Sequence, residues 1–168
     1  VVREQTDGRG PDAVIDAARP HAVVDATAPF GEGFPVEKAR GRDVLLFAAG
    51  SGITPVRALL QWILDRRGEH GRVALYYGQR SDRDFAYVGE HGAWSRAGVH
   101  LVLCASQASP AWSGARGYVQ LVARELKLHE ISTGNAVAFL CGMKSMIEGA
   151  RLELVHFGLP AERTFLNF

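Results

Sequence analysis

A glycine-rich segment near residue 50 is the part of this sequence best suited to bind a ligand. It follows an apolar run, precedes a segment with helical spacing, and consists of Gly50, Ser51, Gly52, Ile53, Thr54 and Pro55. The glycines let the backbone turn tightly and approach a ligand without a Cβ in the way. Thr54 is predicted as the N-cap and Pro55 as the first helical residue, so the free N–H groups of the helix start would face a phosphate. A strand-to-helix turn without a ligand has the same pattern, but the strand before and the helix after favour pyrophosphate binding.

A second candidate is the pair Cys141 and Gly142, which ends the apolar run Ala136–Cys141. Ligands of open parallel sheets bind at the carboxyl ends of the strands, where this pair would lie. Position alone is equally consistent with a buried structural cysteine.

Arg80 and Arg83 follow the strand predicted over residues 72–77. Guanidinium groups in that loop could pair with a ribose 2′-phosphate, whereas an acidic residue at the strand end would favour NAD. The strand end carries Gln79, so the sequence slightly favours NADP, with a solvated charged turn as the alternative.

Composition and charge argue against several other kinds of site. The chain has 19 basic and 18 acidic residues in 168, with no charged run, which predicts neither a nucleic-acid groove nor a membrane surface. Its two cysteines are too few for a four-cysteine iron–sulfur cluster, and the histidines lack metal-ligand spacing, so no metal site is predicted. A reduced, cytoplasmic protein is the simplest interpretation.

The elements that must position these residues alternate regularly. Short apolar runs predict strands over residues 44–48, 72–77, 99–104, 136–141 and 164–168, and helical spacing predicts helices over residues 55–66, 84–96, 117–126 and 143–157. Strands that alternate with helices indicate an α/β fold with a doubly wound, parallel, five-stranded sheet of the Rossmann type.

The glycine loop departs from the usual Rossmann fingerprint, because Pro55 stands where the third glycine is expected. Gly-x-Gly-Ile-Thr-Pro after a strand resembles the nucleotide loop of the ferredoxin–NADP reductase superfamily, and three further motifs agree. They are Tyr76-Tyr77-Gly78-Gln79-Arg80, Cys141-Gly142-Met143-Lys144-Ser145-Met146 and the terminal Phe165-Leu166-Asn167-Phe168. The segment Pro29-Phe30-Gly31-Glu32-Gly33-Phe34 is similar to the exit from that family's flavin-binding β-barrel. The resemblance therefore implies a remnant of the barrel over residues 1–38 and an NAD(P)-binding domain over residues 39–168.

The resemblance also implies an activity, namely hydride transfer between NAD(P)H and FAD with onward electron transfer to an unknown protein or small molecule. Cys141 would lie near the nicotinamide, Phe168 would cover the flavin, and the cofactor-binding set would include Gly78, Gly142, Met143 and Met146. In the family a helix that starts with Gly-x-x-Ser/Thr touches the flavin pyrophosphate. The corresponding residues here begin near Gly10, and Ala13 stands where the serine or threonine is expected. FAD retention by this chain alone is therefore left open, and a missing flavin-domain segment or partner chain would then be required.

Two alternatives remain at this stage. The chain would be an isolated NAD(P)-binding module without turnover, or a doubly wound domain whose loop holds another phosphate ligand.

Overall fold

The structure is a computed structural model that describes residues 3–4, 25–26 and 33–167. The chain divides into two compact units, Val1–Glu32 and Gly33–Phe168. In the first unit, strands β1 (Arg3–Glu4) and β2 (Asp25–Ala26) pair in parallel. In this unit the sequence also predicts a helix over residues 13–18 and a strand over residues 21–27. The helix lies outside the described residues, as does all of the strand but residues 25–26.

The second unit contains a parallel sheet of six strands in the order β6-β5-β4-β3-β7-β8. Its strands are β3 (Asp43–Ala49), β4 (Val73–Gln79), β5 (Val99–Ala105), β6 (Ala115–Arg116), β7 (Ala136–Cys141) and β8 (Thr164–Leu166). The predicted doubly wound parallel sheet is confirmed, with one strand more than the five expected. The additional strand, β6, is two residues long and pairs with the end of β5, so no apolar run marks it in the sequence.

Four helices cover the two faces of this sheet: α1 (Ile53–Leu64), α2 (Val88–Arg96), α3 (Val119–Glu125) and α4 (Lys144–His156). The apolar sides of α1 and α2 pack in one core cluster, and those of α3 and α4 pack in the other. Helix α2 begins four residues later than predicted, because Tyr87 before it has a left-handed conformation with φ of 58°. Among the described residues, no helix is long and apolar enough to cross a membrane.

Strand β3 lies in the middle of the sheet and is buried on both sides. Leu45 and Phe47 pack in the cluster of α3 and α4, whereas Val44 and Leu46 pack in the cluster of α1 and α2. Each such side chain contributes about 1.5–3 kcal/mol by leaving water. Burial on both faces explains why this strand is continuously apolar rather than alternating.

Phe34 shows where the second unit begins to pack. Its ring lies edge-on against Phe139 of β7, with 5.3 Å between the ring centroids. The 3-10 turn Val36–Ala39 follows, and its Ala39 is fully buried. The assignment of the preceding residues to a flavin domain stays a prediction.

Candidate functional site

The glycine loop connects the end of β3 directly to helix α1. Gly50, Ser51 and Gly52 form one 3-10 turn, and α1 begins at Ile53. Gly50 has a left-handed φ of 58° with open space around it, so its conformation rather than crowding requires glycine.

The predicted capping of α1 by Thr54 was wrong. The 3-10 turn runs straight into the helix, so Gly52 takes the N-cap position with helical dihedrals and no side-chain bond. Thr54 is therefore the second residue of α1 and Pro55 the third, and Thr54 is exposed. The N–H of Ile53 bonds back to carbonyl groups of the 3-10 turn, and Pro55 has no N–H. N–H groups for a phosphate would therefore come from the turn that precedes α1 rather than from the first residues of α1.

Gly52 brings this loop against the end of β7. A Cβ at Gly52 would lie 2.5 Å from the carbonyl carbon of Cys141 and 2.8 Å from the amide nitrogen of Gly142. Gly142 has φ of 150°, and its own Cβ would lie 2.9 Å from Cβ of Ala49. Only backbones without these Cβ atoms can approach so closely, so the two candidate segments predicted separately from the sequence meet at one place.

A cavity of about 610 Å³ opens beside this junction, on the side of the sheet that carries α3 and α4. Its walls are the ends of β3 and β4, the loop after β5 and the starts of α3 and α4. The lining residues are Ala49, Gly50, Gly78, Gln79, Arg80, Ser106, Gln107, Gly117, Tyr118, Val119, Gln120, Met143, Ser145 and Met146. The volume suits a ligand of the size of a nucleotide.

The cavity brings together five of the predicted cofactor-binding residues: Gly50, Gly78, Arg80, Met143 and Met146. The other predicted residues of the loop, and the pair Cys141 and Gly142, adjoin it at the start of α1 and the end of β7. Arg83 is exposed in the loop after β4. Phe168 and the segment near Gly10 lie outside the described residues, so their predicted flavin contacts stay predictions.

Residues 46–152 match the family of oxidoreductase NAD-binding domains, which is more than half of the chain. The chain belongs to this family. The resemblance to the ferredoxin–NADP reductase superfamily is thereby confirmed, and residues 46–152 lie in the NAD-binding domain.

Two curated relatives are similar over almost the whole chain. The gamma subunit of sulfhydrogenase 1 from Pyrococcus furiosus is 27% identical over 92% of this chain and 53% of its own length. Ferredoxin–NADP reductase B from Sorangium cellulosum is 28% identical over 97% of this chain and 68% of its own length. The chain thus spans about half the length of the first of these relatives.

A solved structure shares the fold. The ferredoxin–NADP⁺ reductase from Neisseria gonorrhoeae, which was solved with bound FAD and NADP, matches with a TM-score of 0.68 and 17% identity. The match covers 82% of this chain and 60% of that one.

Cys141 of the NAD-binding domain is half-buried at the end of β7. Burial raises the pKa of its thiol, so the thiolate is disfavoured at neutral pH. A neutral thiol is a poor nucleophile, so no nucleophilic role is assigned to Cys141, and its place beside the nicotinamide stays a prediction. Burial raises the pKa of Cys104 to about 12, as expected of a thiol inside the core.

The sequence analysis missed the aromatic side chain at this site. Tyr118 lines the cavity and remains 59% exposed. For Tyr87 the sequence allows adenine stacking and core packing equally, and in the structure its ring lies against the Arg57 guanidinium, with 4.8 Å from Cζ to the ring centroid. Arg57 belongs to α1, on the sheet face opposite the cavity. In the sequence Tyr118 stands in the segment Arg116-Gly117-Tyr118-Val119. This segment resembles the Arg-x-Tyr-Ser/Thr flavin signature only superficially, because it lacks the hydroxyl residue, and no other motif marks Tyr118 as a site residue.

Two polar side chains of the cavity were also missed. Gln107 accepts a hydrogen bond of 2.9 Å from Nε of Arg80 and thereby fixes that guanidinium at the cavity wall. Gln120 has a buried side-chain oxygen without a hydrogen-bond partner among the described residues. Because this oxygen is closed off from the cavity, a ligand could reach it only after the Gln120 side chain turned.

Proposed function

We propose that the NAD-binding domain binds NAD(P)H along the carboxyl edge of its sheet and presents the nicotinamide to a flavin held by another part of the protein. The observation that carries this proposal is the junction at Gly52. There the start of α1 lies against the end of β7, and Gly50 of the same loop lines the cavity. A dinucleotide needs an adenosine pocket, a pyrophosphate cradle and a nicotinamide position in that order.

The adenosine half fits the cavity. Tyr118 offers an exposed aromatic face on which adenine can stack, and base–aromatic stacking contributes about 1–3 kcal/mol. Arg80, held by Gln107, supplies a positive charge for the 2′-phosphate of NADP(H), which supports the slight preference for NADP.

The pyrophosphate would lie over the segment from Gly50 to Thr54, because the positive end of the α1 dipole favours its charge. The nicotinamide would then reach Cys141 and Gly142. There the half-buried thiol limits water around the ring and the glycine lets the backbone approach it. Hydride transfer needs reacting atoms about 3–3.5 Å apart, so the contribution of these residues is position.

FAD would accept the hydride and pass electrons onward, and its chemistry belongs to the cofactor. The similar proteins from Sorangium cellulosum and Neisseria gonorrhoeae are both ferredoxin–NADP reductases by name, and the second was solved with bound FAD and NADP. Onward transfer to a separate acceptor, with Phe168 as the aromatic cover of the flavin, completes the proposal.

The test is titration of the full chain with NADPH and NADH by calorimetry. We expect saturable binding of NADPH, weakened when Arg80→Ala and Arg83→Ala are combined, with NADH affinity retained. An unchanged ratio of the two affinities in the double variant would contradict the 2′-phosphate assignment. Absence of binding by either nucleotide in a folded chain would contradict the whole proposal.

A second candidate function is a module that binds nucleotide without turnover by itself. It is supported by the family match over residues 46–152, which concerns an NAD-binding domain and not a flavin domain. A visible absorption spectrum after addition of FAD separates the two. A bound-flavin spectrum that bleaches with NADPH supports the reductase in this chain alone, and nucleotide binding without flavin uptake supports the module.

A further inference from the structure

Two hydrogen-bonded residue pairs connect the loop after β4 to the loop after β5. In the first, Arg80 donates to Gln107. Asp82 accepts from Ser109 at both carboxylate oxygens, 2.7 Å from the backbone nitrogen to Oδ1 and 2.8 Å from Oγ to Oδ2. The cation of the first pair lines the cavity, whereas neither Asp82 nor Ser109 is among the residues that line it.

Ser109 is held in place independently of any ligand. The Arg116 guanidinium donates to a series of backbone carbonyls of the same loop, namely those of Ala108, Ser109, Pro110 and Trp112, at 2.9–3.4 Å. The Trp112 ring stacks on Phe85 of the β4 loop, with 5.3 Å between centroids. The donor groups that hold Asp82 are therefore positioned in advance.

Asp82 is charged at neutral pH and belongs to the same loop as Arg80, which lines the proposed adenosine site. It stands two residues beyond Arg80 and three beyond the last residue of β4. The two hydrogen bonds from Ser109 lower the pKa of its carboxyl group. In dinucleotide-binding folds a carboxylate near this strand end accepts from the ribose 2′-hydroxyl and so favours NAD, and it repels a 2′-phosphate.

We infer that Ser109 is a specificity-determining residue, because its hydrogen bonds hold the Asp82 carboxylate away from the nucleotide. Arg80 then sets the preference at the 2′ position without a competing negative charge beside it. The inference rests on the proposed function, because it names a determinant within the proposed adenosine site.

The experiment compares Ser109→Ala, Asp82→Asn, the double variant and the control Ser113→Ala, an exposed serine of the same loop. Calorimetry of the full chain gives the dissociation constants of NADP⁺ and NAD⁺, and carbon NMR titration gives the pKa of Asp82. Ser109→Ala removes the Oγ donor but keeps the carbonyl that Arg116 binds, so the loop is expected to fold. The backbone N–H of residue 109 still bonds to Oδ1, so the variant releases the Asp82 carboxylate in part.

In Ser109→Ala we expect the pKa of Asp82 to rise and the preference for NADP⁺ over NAD⁺ to fall by roughly threefold to tenfold, as a charge-assisted bond is lost. Asp82→Asn alone should change the preference by less than about twofold, since its charge is already held off. The double variant should return to the wild-type preference, and Ser113→Ala should leave both readouts unchanged.

Three results would overturn the inference. The first is an unmoved pKa of Asp82 in Ser109→Ala, and the second is a raised pKa with an unmoved preference. The third is an Asp82→Asn effect as large in the wild-type background as in Ser109→Ala. Failure of the wild-type chain to bind either nucleotide would instead overturn the proposed function.

Discussion

Gly52→Ala is expected to destabilise the domain, although Gly52 has an ordinary helical φ of −59°. The added Cβ would lie 2.5 Å from the carbonyl carbon of Cys141, where carbon atoms normally rest about 3.5–4.0 Å apart. The obstacle is backbone, so the loop or the end of β7 must shift by roughly 1 Å. Overpacking of this kind costs about 1–3 kcal/mol, which lowers the Tm of a domain of this size by roughly 3–12 °C. The shift also separates the start of α1 from Cys141, so nucleotide affinity should fall by about tenfold or more.

Thermal unfolding followed by circular dichroism measures the first effect, and calorimetry with NADP⁺ measures the second. The matched control is Gly89→Ala, because Gly89 lies in the first turn of α2 and has open space where its Cβ would stand. That substitution should leave affinity unchanged and raise stability by up to about 1 kcal/mol through helix propensity. A Gly52→Ala variant as stable as the control, with wild-type affinity, would refute the close approach of the loop to β7.

Three further outcomes are expected at neighbouring residues. In Gly78→Ala the added Cβ would overlap Cγ2 of Val119, so Tm should fall, and Val119→Ala in the same chain should recover part of the loss. If the two substitutions changed the free energy of unfolding in urea additively, this contact would be contradicted. Tyr118→Ala should weaken 2′,5′-ADP about tenfold or more by calorimetry, and Tyr118→Phe should not; equal losses would argue against stacking. Because burial raises the pKa of Cys141, its labelling by iodoacetamide should accelerate as pH rises above 9 and slow with bound NADP⁺, whereas Cys104 should react only after unfolding. Labelling of Cys141 that NADP⁺ leaves unchanged would place the nicotinamide elsewhere.

The strands could be predicted from the sequence because burial on both faces makes them continuously apolar. The run Ala136–Cys141 was predicted with both ends correct, since the strand begins after a polar turn and ends at a glycine. Strand β6 could not be predicted, because its two residues pair with β5 only after the loop between them has folded. Arg116, on this strand, organises that loop through carbonyl groups that carry no side-chain signal in the sequence.

The backbone half of the candidate site could also be predicted, since glycine at a strand end is a local signal. The N-cap of α1 could not, because Thr54 has the right residue type and only the conformation of Gly52 moves the helix start. The cavity side chains were harder still. Tyr118 and Gln107 are distant in sequence from Gly50, and only the order of strands in the sheet brings all three to one edge.

The division between backbone and side chains bears on how such a site can change. Gly52 and Gly142 let the end of β3, the glycine loop and the end of β7 lie in close contact. Almost any substitution at either glycine must move the backbone, so this half of the site tolerates little variation. Arg80, Gln107 and Asp82 lie in the loops after β4 and β5, where one side chain can be exchanged without displacing a strand. If the nucleotide binds as proposed, its pyrophosphate and nicotinamide positions would therefore be set by the fold, and the choice between a 2′-hydroxyl and a 2′-phosphate would rest on a few exchangeable polar side chains. A change of nucleotide preference should thus require substitutions in those two loops alone.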